Sequence, residues 1–167
     1  HFAERGHRRI AYVGPAHNSN FLDRLEGYKA GIAEAGLPLE KDLIHAFPDW
    51  REPELLRYAL ESLIALKDRP TAIIAPDDGH AGWLVDAIRG AGLRVPEDVA
   101  VAGFNDIPEA QRMGGGLTTV RQPFREIGRV SVAMLLEIIA GKPARSCRVT
   151  LPTELVVRSS SEYLRER

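Results

Sequence analysis

One cysteine, Cys147, is all the sequence holds, so no internal disulfide can form, and the composition fits a reducing compartment. Charge of either sign is not in excess: 22 Lys and Arg face 23 Asp and Glu, for a net charge of −1. The chain as a whole is therefore not an electrostatic nucleic-acid binder. No apolar run reaches the length of a membrane span, and no signal-peptide pattern is visible. There is no nucleophile elbow, no phosphate-binding glycine loop after the first strand and no dinucleotide fingerprint. Repeats and low-complexity tracts are missing too. The chain starts at His1 without a methionine, on what reads as the last turn of a helix (Phe2 to Gly6), so a preceding segment is expected.

What is present is ordinary for a globular α/β chain. A length of 167 residues with 44% apolar side chains allows one domain with a proper core. The organising stretch runs from Thr71 to Asp106. Residues 71–75 are a short apolar run with β-branched members, a buried strand by pattern. Pro76 to Gly79 break it with turn chemistry. Residues 80–91 place Ala81, Leu84, Val85 and Ile88 on one helical face, with Gly92 just past the end. Val99 to Phe104 form a second apolar strand that closes with Asn105 and Asp106. Strand, helix and strand with short connections predict a βαβ unit with parallel strands. Ligands of open parallel sheets sit beyond the carboxyl ends of the strands, where Asp77, Asp78, Asn105 and Asp106 are expected to cluster.

The same alternation recurs along the chain. Residues 9–13 read as the first strand, ended by Gly14 and Pro15, with a polar loop over 16–21. Leu22, Leu25, Tyr28, Ile32 and Ala35 mark a helix stopped by Gly36. Residues 43–47 read as a strand, and Pro53 opens a helix carrying Leu56, Ala59, Leu60, Leu63 and Ile64. A loop is expected over 108–116, an extended segment over 117–120, and a helix through Ile127, Val130, Met134, Leu135 and Ile138 that stops at Gly141. Two short strands are predicted at 148–151 and 155–158, and a frayed polar tail from Ser159.

Five phrases carry a family resemblance, and they occur in fixed order over almost the whole chain. They are the residues of 6–14 (GHRRIAYVG), 24–28 (RLEGY), 95–106 (VPEDVAVAGFND), 117–123 (LTTVRQP) and 151–158 (LPTELVVR). Together they resemble the effector-binding domain of the lac-repressor-type (LacI/GalR) bacterial transcription regulators. The resemblance implies a periplasmic-binding-protein-like (type I) fold of two similar Rossmann-like lobes, in a cytoplasmic homodimer that controls operator DNA through a separate N-terminal headpiece. Residues 1–158 match the C-terminal lobe, with 124–150 returning to the other lobe and 159–167 as a tail. The headpiece and most of the first lobe are not in this sequence. The implied partner is a small-molecule effector, a sugar or a derivative, with no cofactor, no catalysis and no membrane contact.

Each candidate ligand residue has a plainer alternative. Arg24 reads from its surroundings as a solvated arginine; the resemblance implies that it grips effector hydroxyls or carboxylates, which its fork of donors suits. Asn18 and Asn20 either cap the following helix or meet the ligand. Trp50 either packs under a loop or stacks on the ligand. Gln122 either reaches the cleft or bonds the backbone of the crossover. Asp78 is expected to cap the 80–91 helix, leaving Asp77 as the ligand-facing carboxylate. The family usually has Asn-Asp where this chain has Asp77-Asp78, and Asp-Asp or Asp-Asn where it has Asn105-Asp106. Acid and amide therefore look exchanged between neighbouring strand ends, which shifts the hydroxyls that would be recognised. Two other classes remain open: an extracytoplasmic sugar-binding protein of a transporter, and a hydrolytic or metal site at Asp77, Asp78 and His80. Against the latter, His17 and His45 belong to other elements.

Overall fold

The computed structural model describes residues 1–48, 53–141 and 148–162. Six strands form one sheet in the order β2-β1-β3-β4-β5-β6. They are β1 (Ile10–Pro15), β2 (Ile44–Phe47), β3 (Ala72–Ile74), β4 (Ala100–Asn105), β5 (Thr118–Arg121) and β6 (Glu154–Val156). The first five are mutually parallel, as the βαβ reading requires. The last runs antiparallel to β5, with Thr119 opposite Val156, at one edge of the otherwise parallel sheet.

Alternation along the strands sorts the helices. Ile10 and Tyr12 of β1 and Ala72 and Ala100 of β3 and β4 pack against Leu25, Tyr28 and Ile32 of helix α1 (Ser19–Glu34). Ala11, Val13, Ile73, Val99 and Val101 point the other way. They meet Leu56, Ala59, Leu60 and Leu63 of α2 (Pro53–Ala65) and Ala81, Leu84, Val85 and Ile88 of α3 (Asp78–Gly90). Glycine ends two of these helices as expected. Gly36 and Gly92 adopt φ of 66° and 79°, and the N–H groups of Leu37 and Leu93 return to the Ile32 and Ile88 carbonyls.

Strand order reverses between β1 and β3, because the chain leaves β1 first for β2 on one side and then for β3 on the other. That switch opens a crevice at the carboxyl ends of β1 and β3.

The C-terminal part departs from the sequence reading in three ways. Helix α4 (Phe124–Ile139) forms where the periodicity places it, yet none of its residues is buried; Phe124, Val132, Leu135, Leu136, Ile138 and Ile139 all lie exposed. The strand expected at 148–151 does not form: the segment pairs with no strand among the described residues, and Pro152 cannot donate to a ladder. The tail does not fray where expected. Ser159–Ser161 make a 3-10 turn in which Ser160 and Ser161 are wholly buried. Ser160 Oγ accepts from the Thr118 N–H at 2.8 Å and donates to the Val101 carbonyl at 2.7 Å, so the hydroxyls dock on β4 and β5.

Candidate functional site

At the crevice the first fact is a close approach. A Cβ on Gly14 would lie 2.2 Å from Pro76 Cδ, so only glycine lets the ends of β1 and β3 draw together. The Pro76 carbonyl then faces helix α1, one turn into which stands Arg24. Arg24 Nη1 donates to that carbonyl at 2.5 Å, and Nη2 donates to Asn105 Oδ1 at 3.3 Å. Its guanidinium lies 4.2 Å from the centre of the Phe104 ring and 5.6 Å from that of Phe21. One side chain thus spans from α1 to the ends of β3 and β4. Burial pushes the Arg24 pKa down, and the charge of Asp77 works in the opposite direction.

Asn105 receives a second donor. Gln122 Nε2, just past β5, donates to Asn105 Oδ1 at 2.7 Å. Gln122 therefore reaches the strand-end cluster instead of binding crossover backbone. Asn105 holds φ of 117° and Asp106 φ of 57°, left-handed conformations that asparagine and aspartate tolerate better than most residues. The chain turns sharply there and aims the Asn105 amide at Arg24.

The capping role expected of Asp78 falls to Asp77, and Asp78 does not face the crevice. Asp77, with φ −150° and ψ 173°, is the N-cap of α3, and its Oδ1 accepts from the His80 N–H at 2.9 Å. The same oxygen lies 2.7 Å from His80 Nδ1. Burial opposes ionisation of Asp77, but the His80 hydrogen bonds and the Arg24 charge outweigh it and hold its pKa below the ordinary value. Asp78, expected to be the cap, is wholly buried behind the site. It accepts from the Ile107 N–H at 2.9 Å and from Thr119 Oγ1, tying α3 to β4 and β5. Burial raises its pKa despite those bonds. Asp106 is likewise taken, by Arg121 Nε and Arg158 Nη2, each at 2.6 Å. Of the four polar strand-end residues, only Asp77 and Asn105 are neither wholly buried nor held by two arginines.

Asn18 follows its plainer alternative: it caps α1, accepting from the Phe21 N–H at 3.0 Å, and is exposed. Asn20 is exposed in the first turn of α1 and lines a groove with Arg24 and Gln122. That groove, about 1140 Å³, continues over the bare face of the sheet past Ile74, Ala102 and Phe104 to Phe124. Trp50 lies outside the described residues. Phe104, Phe21 and the Pro76 carbonyl escaped the sequence reading, and His80 entered it only in the hydrolytic or metal alternative. Phe104 had a signal, since alternation from Ala100 and Ala102 puts it on the α1 face beside Asn105. The hydrolytic reading loses its parts, because Asp78 is spent and Asp77 caps a helix with His80. Among the described residues, no group of three or more His, Cys, Asp or Glu side chains is placed to hold a metal ion, and no helix is long and apolar enough to cross a membrane.

A family model described as a periplasmic binding protein-like domain matches residues 1–161. The HTH-type transcriptional repressor PurR of Photobacterium profundum is 34% identical over 165 residues, 98% of this chain and 49% of that protein. Transcription regulator GntR from Chromobacterium violaceum superposes with a TM-score of 0.87 at 31% identity, over 97% of this chain and 59% of the other. A complex of the transcriptional regulator CelR with cellobiose gives 0.83 at 30% identity, over 94% and 48%. The chain spans about half the length of the curated relatives it matches. These relatives are transcription regulators and do not favour the transporter-binding-protein reading.

Proposed function

The chain belongs to the periplasmic-binding-protein-like domain family, as the C-terminal portion of a LacI-type effector domain, and we propose that it senses a small polar ligand for an operator-binding repressor. The ligand is a sugar or sugar derivative, as the cellobiose complex of CelR suggests by analogy. The observation that carries this reading is the reach of Arg24 from α1 to the ends of β3 and β4, beside the switch point of the sheet. Arg24 and Asn105 grip the ligand, Gln122 orients Asn105, and the free oxygen of Asp77 accepts a ligand hydroxyl. Asn20 lines the groove, Trp50 is assigned a ligand contact from the sequence alone, and Asn18 acts through its cap.

The rest of the mechanism belongs to a longer polypeptide. A second lobe closes over the ligand, and helix α4 packs on that lobe. The row of exposed apolar side chains on α4 supports this, since such a face is stable only when covered. Closure changes the spacing of two paired headpieces in a cytoplasmic homodimer. Helix α3 and the turn at residues 113–115 supply part of the dimer surface. Met113 packs over Gly82 and Arg89 donates to the Gly114 carbonyl, which makes the two elements one surface. The described chain alone, with its net charge of −1, does not bind DNA.

Footprinting of the full-length polypeptide on its own upstream DNA tests the function. A protected, roughly two-fold symmetric site whose occupancy changes with a sugar-like ligand is expected. Loss of specific binding to any such site, with or without ligands, contradicts it.

A further inference from the structure

Arg24 is half-buried and, among the described residues, has no carboxylate within ion-pair distance. Its two hydrogen bonds go to neutral acceptors, the Pro76 carbonyl and the Asn105 side-chain oxygen. Asp77, the nearest acid after β3, is turned to His80, which occupies its Oδ1 through both backbone N–H and ring Nδ1. The orientation of the Asn105 amide is forced. Arginine has no acceptor, so the atom facing Arg24 Nη2 must be oxygen, and the same oxygen takes the Gln122 amide. The Asn105 amide nitrogen then carries both its hydrogens away from that pair. No described residue accepts from it. Remaining Arg24 N–H groups and the Asn105 NH2 therefore make a donor-only corner around a guanidinium that feels the Asp77 charge but makes no ion pair among the described residues.

We propose that this corner receives an anionic oxygen group, so that the effector is an acidic sugar, carrying a carboxylate or a phosphate, and not a neutral one. A planar guanidinium matches the oxygens of either group, and the Asn105 amide adds a third donor. The free Asp77 oxygen is left to accept a hydroxyl elsewhere on the same ligand. An acid at position 105 would neutralise Arg24 and turn the corner into an acceptor for hydroxyls. Asparagine there does the reverse. This inference rests on reading these strand ends as the effector site.

The test uses the full-length polypeptide and matched probes that differ only at the sixth carbon: D-glucose, D-glucuronate and D-glucose 6-phosphate, with the corresponding galactose series. Thermal shift and calorimetry read the binding. At least one acidic member is expected to bind about tenfold or more tighter than its neutral counterpart, and the carboxylate and phosphate arms tell the two sources apart. Asn105→Asp, nearly isosteric and able to hold the same backbone conformation, should remove that preference; the melting midpoint without ligand reports whether the variant folds. The preference of the unaltered protein is a second reading that does not depend on the variant. Neutral sugars that bind as well as or better than acidic ones, or no stabilisation by any acidic member, overturn the inference. If Arg24→Ala then still abolishes neutral-sugar binding, the site reading survives and only the ligand class is wrong. If neither Arg24→Ala nor Asn105→Asp alters the binding of any probe, the site reading falls as well.

Discussion

Arg158 and Asp106, 52 residues apart, meet at 2.6 Å, and Asp106 shares its other oxygen with Arg121 at the same distance. The pair closes the bottom of the strand-end corner, because Asp106 follows Asn105 directly and Arg158 leads into the docked Ser159–Ser161 turn. Burial opposes ionisation of Asp106, but the two guanidinium groups prevail and hold its pKa below 3.8. An acid whose folded pKa is lowered contributes stability that is present above its unfolded pKa and is lost as pH falls through the folded value. Asp106→Asn is therefore expected to lower the denaturation midpoint at neutral pH. It should also flatten the loss of stability below pH 3.8. An acid-unfolding curve that superposes on that of the unaltered protein would contradict this.

Gly14→Ala tests the close approach of β1 and β3. Its methyl would have to displace the Pro76 ring, which lies against buried structure. Overpacking of this kind costs about 1–3 kcal/mol, read as a lower midpoint in chemical denaturation. The Pro76 carbonyl moves with its ring, so the full-length variant should also respond to its effector at higher concentration.

Ser160→Ala removes the hydroxyl that pairs the Thr118 N–H with the Val101 carbonyl. Two backbone groups are left buried and unpaired at the interface of β4, β5 and the C-terminal turn. A loss of about 1–3 kcal/mol is expected. A frayed tail would show no loss at all.

Helix α4 separates the isolated chain from the longer polypeptide. Leu136→Glu with Ile139→Glu changes two side chains that are exposed here. The isolated chain should change by less than about 0.5 kcal/mol, as surface substitutions usually do. The full-length polypeptide should be clearly destabilised, because in the proposed two-lobed arrangement the same side chains meet the other lobe. Equal, small effects in both would remove the support that α4 lends to the two-lobed arrangement.

Most strands, the helices and the gathering of polar residues at the strand ends were legible because period-two and period-3.6 patterns survive in single elements. The roles of Asp77 and Asp78 were not. Either could cap α3 by composition, and the choice depends on which one has an extended backbone, Asp77 with ψ of 173°. His80 was the available clue, since it stands three residues after Asp77 and meets the Asp77 carboxylate with both its N–H and its ring. Ser159 to Ser161 misled for a different reason: polar residues read as solvated unless their tertiary partners are known, and Thr118 and Val101 lie more than forty residues away. The strand expected over 148–151 does not form, although its residues suit a strand: the segment pairs with no strand among the described residues.

The most direct measurement is the effector response of the full-length polypeptide carrying Arg24→Ala. A hydrogen bond to a charged group contributes about 1.5–3 kcal/mol, roughly ten- to a hundredfold in affinity. Operator binding should be unchanged, while the effector concentration that shifts it rises by that factor or the response disappears. An Arg24→Ala protein that answers its effector at an unchanged concentration would contradict the site assignment.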